Sequence, residues 1–356
     1  MKRVVQVVAA VAVAVVTVGA VPGAAGAREL TPRQLAGQRV IYSYAGLTPP
    51  DQLLQRIRAG EAGGVIFFGE NISSSGQIAG VVKQLRDAAA QSPVHEPLLL
   101  MTDQEGGQVR RLPGEPTLSE KQVGQSANPE AAAKAAGTGA GKNLAGVGMN
   151  VNLSPVLDVY RQAGNFIDEY GRSYSSDATT AGKLGRDFVA AEQATGVAST
   201  AKHFPGLGAA PAGSNTDVAP LTLNVPLPEL RTKDEAPYAG TAAKLVMLSW
   251  AVYPALDASH PAGLSPTVVQ NELRQRDGFR GVTITDALEA GALQAYGDTG
   301  NRAVLAAKAG VDLILASGRD VNQGDAAADA LARNLGGIPD FTASVERISA
   351  LRKGLS

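Results

Sequence analysis

Val282-Thr283-Ile284-Thr285-Asp286, the segment Asn301 to Ala309, and Asp312-Leu313-Ile314-Leu315-Ala316 hold the pattern on which the fold turns. The first is a short β-branched run ending on a carboxylate, the second is Ala-rich and reads as a helix, and the third is again apolar. Uninterrupted apolar strands separated by a helix describe a βαβ unit in a parallel sheet buried on both faces.

Working outward, the unit recurs. Upstream runs are Val40-Ile41-Tyr42-Ser43-Tyr44, Gly64-Val65-Ile66-Phe67-Phe68, Leu98-Leu99-Leu100-Met101-Thr102-Asp103 and Val151-Asn152-Leu153-Ser154. Ala198-Ser199-Thr200-Ala201-Lys202-His203 and Leu245-Val246-Met247-Leu248-Ser249 complete the set. Ser75 to Ala90 places Ile78, Val81, Val82 and Leu85 at helical spacing, and Pro129 suits the first turn of a helix reaching Leu144. Further helices are expected at Ala178 to Ala194, Pro228 to Lys244 and Ser265 to Arg276. This alternation predicts an α/β fold, a (β/α)8 TIM barrel forming one catalytic domain. A doubly wound open sheet is the alternative, but no Gly-rich phosphate turn follows the first strand. Gly137-Thr138-Gly139-Ala140-Gly141-Lys142 misses the phosphate-loop pattern, with Ala136 in place of the leading Gly and Asn143 in place of Ser or Thr, and reads as a weak helix.

The 356 residues carry 32 Lys+Arg, 33 Asp+Glu, three His and no Cys. Near-neutral charge argues against nucleic acid as a partner. The lack of Cys excludes disulfides, thiolate metal sites and thiol catalysis. With no His pair at i, i+4 and no dinucleotide turn, no metal or organic cofactor is expected. Lys2 and Arg3 precede an uncharged Val/Ala-rich run and then Ala25-Gly26-Ala27, the layout of a secretory signal peptide over 1–27. Cleavage after Ala27 would leave a barrel domain over 28–356, secreted and extracellular or associated with the cell wall. An uncleaved membrane anchor is the competing reading of this run. No later segment is long and apolar enough to span a bilayer, so no stable insertion is expected once the leader is removed, and the mature protein is expected to be a monomer.

Catalytic groups in such a barrel sit where strands end. There the chain places Asp103-Gln104-Glu105-Gly106-Gly107 with Arg111, Pro155-Val156-Leu157-Asp158 leading to Arg172, Lys202-His203-Phe204-Pro205-Gly206, and Asp286. Carboxylates that accept and cations that donate are the two polarities a sugar's hydroxyls need. Each group taken singly has a bland reading as a rim charge or surface residue.

These motifs, in this order over roughly 35 to 320, resemble glycoside hydrolase family 3 and most nearly its short bacterial β-N-acetylglucosaminidases. The resemblance implies a retaining hydrolase acting on an amino-sugar glycan, such as peptidoglycan fragments or chitooligosaccharides. It implies Asp286 as nucleophile and Asp103, Arg111, Arg172, Lys202 and His203 as substrate-binding residues. One part departs. The family's short members carry a His proton donor backed by an Asp on the loop after the fifth strand, and those positions are Asn215 and Gly213 here. A second family His is Leu207, and Ser249-Trp250 stands where Ala-His is frequent. Asn cannot cycle a proton near neutral pH. Three readings follow: Asp217 on the same loop, taken as mobile, supplies the acid/base; Glu289, Glu105 or the substrate supplies it; or the barrel is a non-catalytic glycan binder. A β-glycosidase for a different sugar is a further alternative.

Overall fold

A computed structural model describes residues 30–355; the expected signal peptide lies outside the described residues. Eight parallel strands form one sheet: β1 Val40–Tyr42, β2 Gly64–Ile66, β3 Leu99–Thr102, β4 Val151–Asn152, β5 Ala198–Phe204, β6 Leu245–Leu248, β7 Val282–Thr285 and β8 Ile314–Leu315. Neighbours in sequence are neighbours in space, and β8 returns to pair with β1 through Val40↔Ile314. A single bridge, Ile284↔Leu313, joins β7 to the β8 side, with Leu313 N donating to Thr283 O at 2.9 Å. The sheet is thus a nearly closed barrel.

Alternation along each strand divides the core. Ile41, Ile66, Leu99, Met101, Val151, Leu245, Met247 and Ile284 pack together inside the barrel. Val40, Tyr42, Val65, Phe67, Leu100, Val246 and Leu248 belong to a second cluster with the surrounding helices. Both sets are buried, which is why the runs lack polar alternation. Ile348, Leu351 and Leu355, from the C-terminal helix Phe341–Lys353 and the residues after it, join the interior cluster.

The segments Ser75–Ala89, Pro129–Val147, Ala178–Gln193 and Thr299–Ala309 are continuous helices, and the Gly137–Lys142 stretch lies within the second of them. The helix expected over Pro228 to Lys244 is broken. One turn at Leu227–Glu229 widens so that Glu235 N reaches Leu230 O, and a tight turn at Ala236–Tyr238 ends it. Pro237 lacks an amide hydrogen and Gly240 turns the chain at φ +68, so the helix cannot continue. Thr267–Arg276 is a similarly widened coil. The helices Asp51–Arg58 and Val321–Arg333, following β1 and β8, complete the outer ring.

Candidate active site

The loop after β3 folds back on itself. Gln104–Gly106 pairs with Val109–Arg110, and Arg111 N donates to Asp103 O at 3.2 Å. Gly106 sits at φ +108, and a Cβ there would lie 2.1 Å from Leu118 O, so only Gly fits the turn. This fold buries Glu105 to 2% exposure beneath the rim.

Glu105 is the hub of a charge cluster drawn from three strand ends. Arg172 grips it with both nitrogens, Nε to Oε2 and Nη2 to Oε1, each at 2.9 Å. Lys202 Nζ, from the end of β5, lies 2.7 Å from Glu105 and 2.7 Å from Asp103. Burial alone would raise the Glu105 carboxyl; Arg172 and Lys202 overcome this and hold it at about 2. Burial pulls Lys202 down, but Asp103 and Glu105 leave it above its ordinary value. Two carboxylates and two cations therefore balance one another at the cavity wall. Glu105, one of the alternative proton donors, is held between two cations that favour its ionised form.

His203 is fixed by a second buried carboxylate. Its Nδ1 lies 2.7 Å from Asp158 Oδ2, and Asp158 Oδ1 accepts from Leu207 N at 2.7 Å. With Asp158 engaged at Nδ1, the other nitrogen stands 3.5 Å from Arg172 Nη2, at the cavity wall.

Asp286 follows β7 directly, and its Oδ1 accepts from Ala287 N at 2.7 Å. Trp250, fully buried, donates its indole N–H to Ala287 O at 2.8 Å and so braces the peptide after Asp286. Asp217 arrives on the long loop after β5. Asn215 Oδ1 accepts from Asp217 N at 2.8 Å, which turns the chain. Gly291 N then donates to Asp217 O at 2.8 Å and Ala292 N to Thr216 O at 3.0 Å. A Cβ on Gly291 would meet Val218 O at 2.1 Å, so this docking needs Gly. The loop expected to swing is pinned here onto the segment after β7. The Asp217 residue is open to solvent on one side, yet crowding by the cavity wall, and then the Asp286 charge, push its carboxyl up to about 6. Glu289 accepts from Ser317 Oγ at 2.8 Å and Gln323 Nε2 at 3.0 Å.

Asp103, Arg111, Arg172, Lys202, His203, Asp217 and Asp286 all line one cavity of about 210 Å³, together with Asn215 and Leu207. Sequence reasoning did not foresee that Glu105 clamps the cations, that Asp158 orients His203, or that Trp250 supports Ala287. None of the three carries a local signature, since the partners are far apart in the chain. A cavity with fixed donors and acceptors on one side, and the two carboxyl groups of Asp217 and Asp286 on the other, suits acid–base work on a polyol.

Residues 34–351 match the glycosyl hydrolase family 3 N terminal domain. An uncharacterized secreted glycosyl hydrolase of Arthroderma benhamiae is 47% identical over 331 residues, covering 90% of this chain and 93% of that one. Among solved structures, a glycoside hydrolase family 3 β-N-acetylglucosaminidase from Paenibacillus sp. superposes with TM-score 0.85 at 33% identity, covering 92% of this chain but 63% of that one. A β-N-acetylhexosaminidase from Beutenbergia cavernae does so with TM-score 0.80 at 32% identity, covering 91% and 98%.

Proposed function

Because the chain belongs to glycosyl hydrolase family 3 and is a β-N-acetylhexosaminidase-like glycoside hydrolase, we propose that it removes terminal β-linked N-acetylglucosamine with retention of configuration. The Asp286 carboxylate attacks the anomeric carbon as Asp217 gives its proton to the departing oxygen. The resulting glycosyl ester is then opened by water, which loses its proton to Asp217 as the ester C–O bond breaks and Asp286 is freed. Lys202, Asp103, Arg172, Arg111 and His203 hold the sugar's hydroxyls.

The observation carrying this reading is that Asp217 and Asp286 share the cavity of the Lys202–Asp103 clamp, with Asp217 pushed up to about 6. A donor must be protonated for the first step, and a group with that affinity is protonated on the acid side of neutrality. The small cavity suits one terminal sugar, hence exo action. Terminal residues of peptidoglycan fragments or chitooligosaccharides are the natural substrates in this proposal. In this proposal the enzyme meets them outside the cell after loss of residues 1–27; the Arthroderma relative is named a secreted glycosyl hydrolase. Turnover of an aryl β-N-acetylglucosaminide by the purified protein tests the reading. Tight sugar binding without turnover would identify a glycan-binding barrel instead.

A further inference from the structure

Glu192 carries a carboxyl that the reaction above does not use. It stands near the end of the helix Ala178–Gln193, fully buried against the sheet. It forms no ion pair among the described residues, and burial pushes its carboxyl up to about 8. A leucine or methionine would fill the same space without the cost of burying a polar group. What Glu192 holds explains why a carboxyl is there.

Its Oε2 meets Ser199 Oγ on β5 at 2.5 Å. Its Oε1 accepts from Asn152 Nδ2, at the end of β4, at 2.6 Å. Asn152 is also fully buried, and the rest of its amide engages a single residue. Asn152 Oδ1 accepts from Gln104 N at 2.9 Å, and Nδ2 donates to Gln104 O at 3.2 Å. Gln104 lies between Asp103 and Glu105, the two carboxylates that hold Lys202. Its own side chain extends the network. Oε1 accepts from Leu112 N at 3.0 Å, and Nε2 donates to Leu112 O and Glu115 O, each at 2.9 Å. Arg111, next to Leu112, is fixed from the same point.

Resting on the functional reading above, we infer that Glu192 is a positioning residue for sugar binding: through Asn152 it sets the backbone of Gln104, and with it the placement of Asp103, Glu105 and Arg111. Asn152 Nδ2 carries two hydrogens. Gln104 takes one and Glu192 the other. Without Glu192 a buried N–H is left unpaired, and Asn152 gains by turning toward another acceptor and releasing Gln104. No hydrogen bond among the described residues joins this network to the Asp217 or Asp286 carboxyls, so its loss falls on holding the sugar rather than on the chemical step.

Calorimetric titration with N-acetylglucosamine reads the effect without depending on turnover. Glu192→Leu and Glu192→Met should each weaken binding by about 10-fold, the worth of one charged hydrogen bond to the sugar. KM for an aryl β-N-acetylglucosaminide should rise by about the same factor, while kcat falls by less than about three-fold. Glu192→Gln keeps an acceptor for Asn152 and should bind within about two-fold of the wild type. Ser199→Ala removes the other bond of Glu192 without freeing Asn152. It should lower the melting temperature and leave sugar binding within about two-fold. Unchanged binding in a folded Leu or Met variant overturns the positioning role. A loss in Ser199→Ala or Glu192→Gln equal to that in Glu192→Leu overturns it too, because general loosening would then be the cause. Failure of both apolar variants to fold assigns the carboxyl to stability and overturns the role as well. Wild-type binding of N-acetylglucosamine without turnover overturns the catalytic reading alone, since the variants still decide the role of Glu192. Absence of both binding and turnover overturns the two together.

Discussion

The two sides of the cavity are built by different means. On the β3–β5 side most of the polar groups are paired: Glu105 holds Arg172 and Lys202, Lys202 also holds Asp103, and Asp158 holds the His203 ring, while Arg111 makes no ion pair among the described residues. On the β7 side the Asp217 carboxyl makes no hydrogen bond or ion pair among the described residues, and its place is set by backbone amides of Gly291 and Ala292. The paired groups are held in place before a sugar binds, which lowers the cost of reorganising them. The unmatched side keeps one acid free to gain and lose a proton. Most groups proposed to hold the sugar are paired, Arg111 excepted, and the carboxyl proposed to exchange a proton is not.

If that contrast is right, substitutions on the two sides differ in kind. The largest effect is expected from Asp286→Ala, which should cut kcat by about 10⁴-fold or more because no other group forms the glycosyl ester. Its melting temperature should stay near that of the wild type, since Asp286 accepts only one local bond. Next comes Asp217→Asn. It should slow unactivated β-glycosides by about 10²- to 10⁴-fold, the usual worth of general acid help, and slow aryl glycosides with good leaving groups far less. Azide should restore aryl turnover in Asp217→Ala by attacking the glycosyl-enzyme without a base. In the unaltered enzyme kcat/KM should fall as pH rises through about 6, because the raised carboxyl loses its proton there. Equal losses on both substrate types, with no azide effect, would remove Asp217 from the proton transfer.

On the matched side, Lys202→Ala should raise KM by about 10-fold or more, at least as far as it lowers kcat, because a charged hydrogen bond is lost in ground and transition states alike. It should also cost about 3 kcal/mol in urea unfolding, since Glu105 loses one of its two buried cations. A large fall in kcat at unchanged KM would blur the two sides into one. The smallest effect is expected from Gly291→Ala. Its methyl group would push Val218 and Asp217 off the segment after β7, giving a several-fold loss confined to substrates with poor leaving groups.

How much of this was legible in the chain follows the same physics. Strands buried on both faces must be apolar throughout, so Val282–Thr285 and its seven counterparts stood out, and the polar residues ending them marked the cavity rim. The segment Pro228 to Lys244 is long enough for a helix, but Pro237 and Gly240 break it. The C-terminal helix Phe341–Lys353 went unread because its inward face mixes Ile348 and Leu351 with the buried Arg352, whose guanidinium is satisfied by Pro97 O and Glu96 O. Glu105 reads from the sequence as an alternative proton donor, because its partners Arg172 and Lys202 are both more than sixty residues away. Docking of the Asp217 loop rests on backbone amides, which leave little trace in side-chain types.

In the proposed mechanism Asp286 carries the sugar, and a trapped covalent adduct is the sharpest test of it. A 2-deoxy-2-fluoro glycosyl donor with a reactive leaving group slows both steps by destabilising the cationic transition state, while the leaving group keeps the first step fast enough to observe. Mass spectrometry of the digested protein should then find one fluoroglycosyl adduct, on the peptide containing Asp286, absent from Asp286→Ala. An adduct on another carboxylate, or turnover with inversion and no adduct, would contradict the claim.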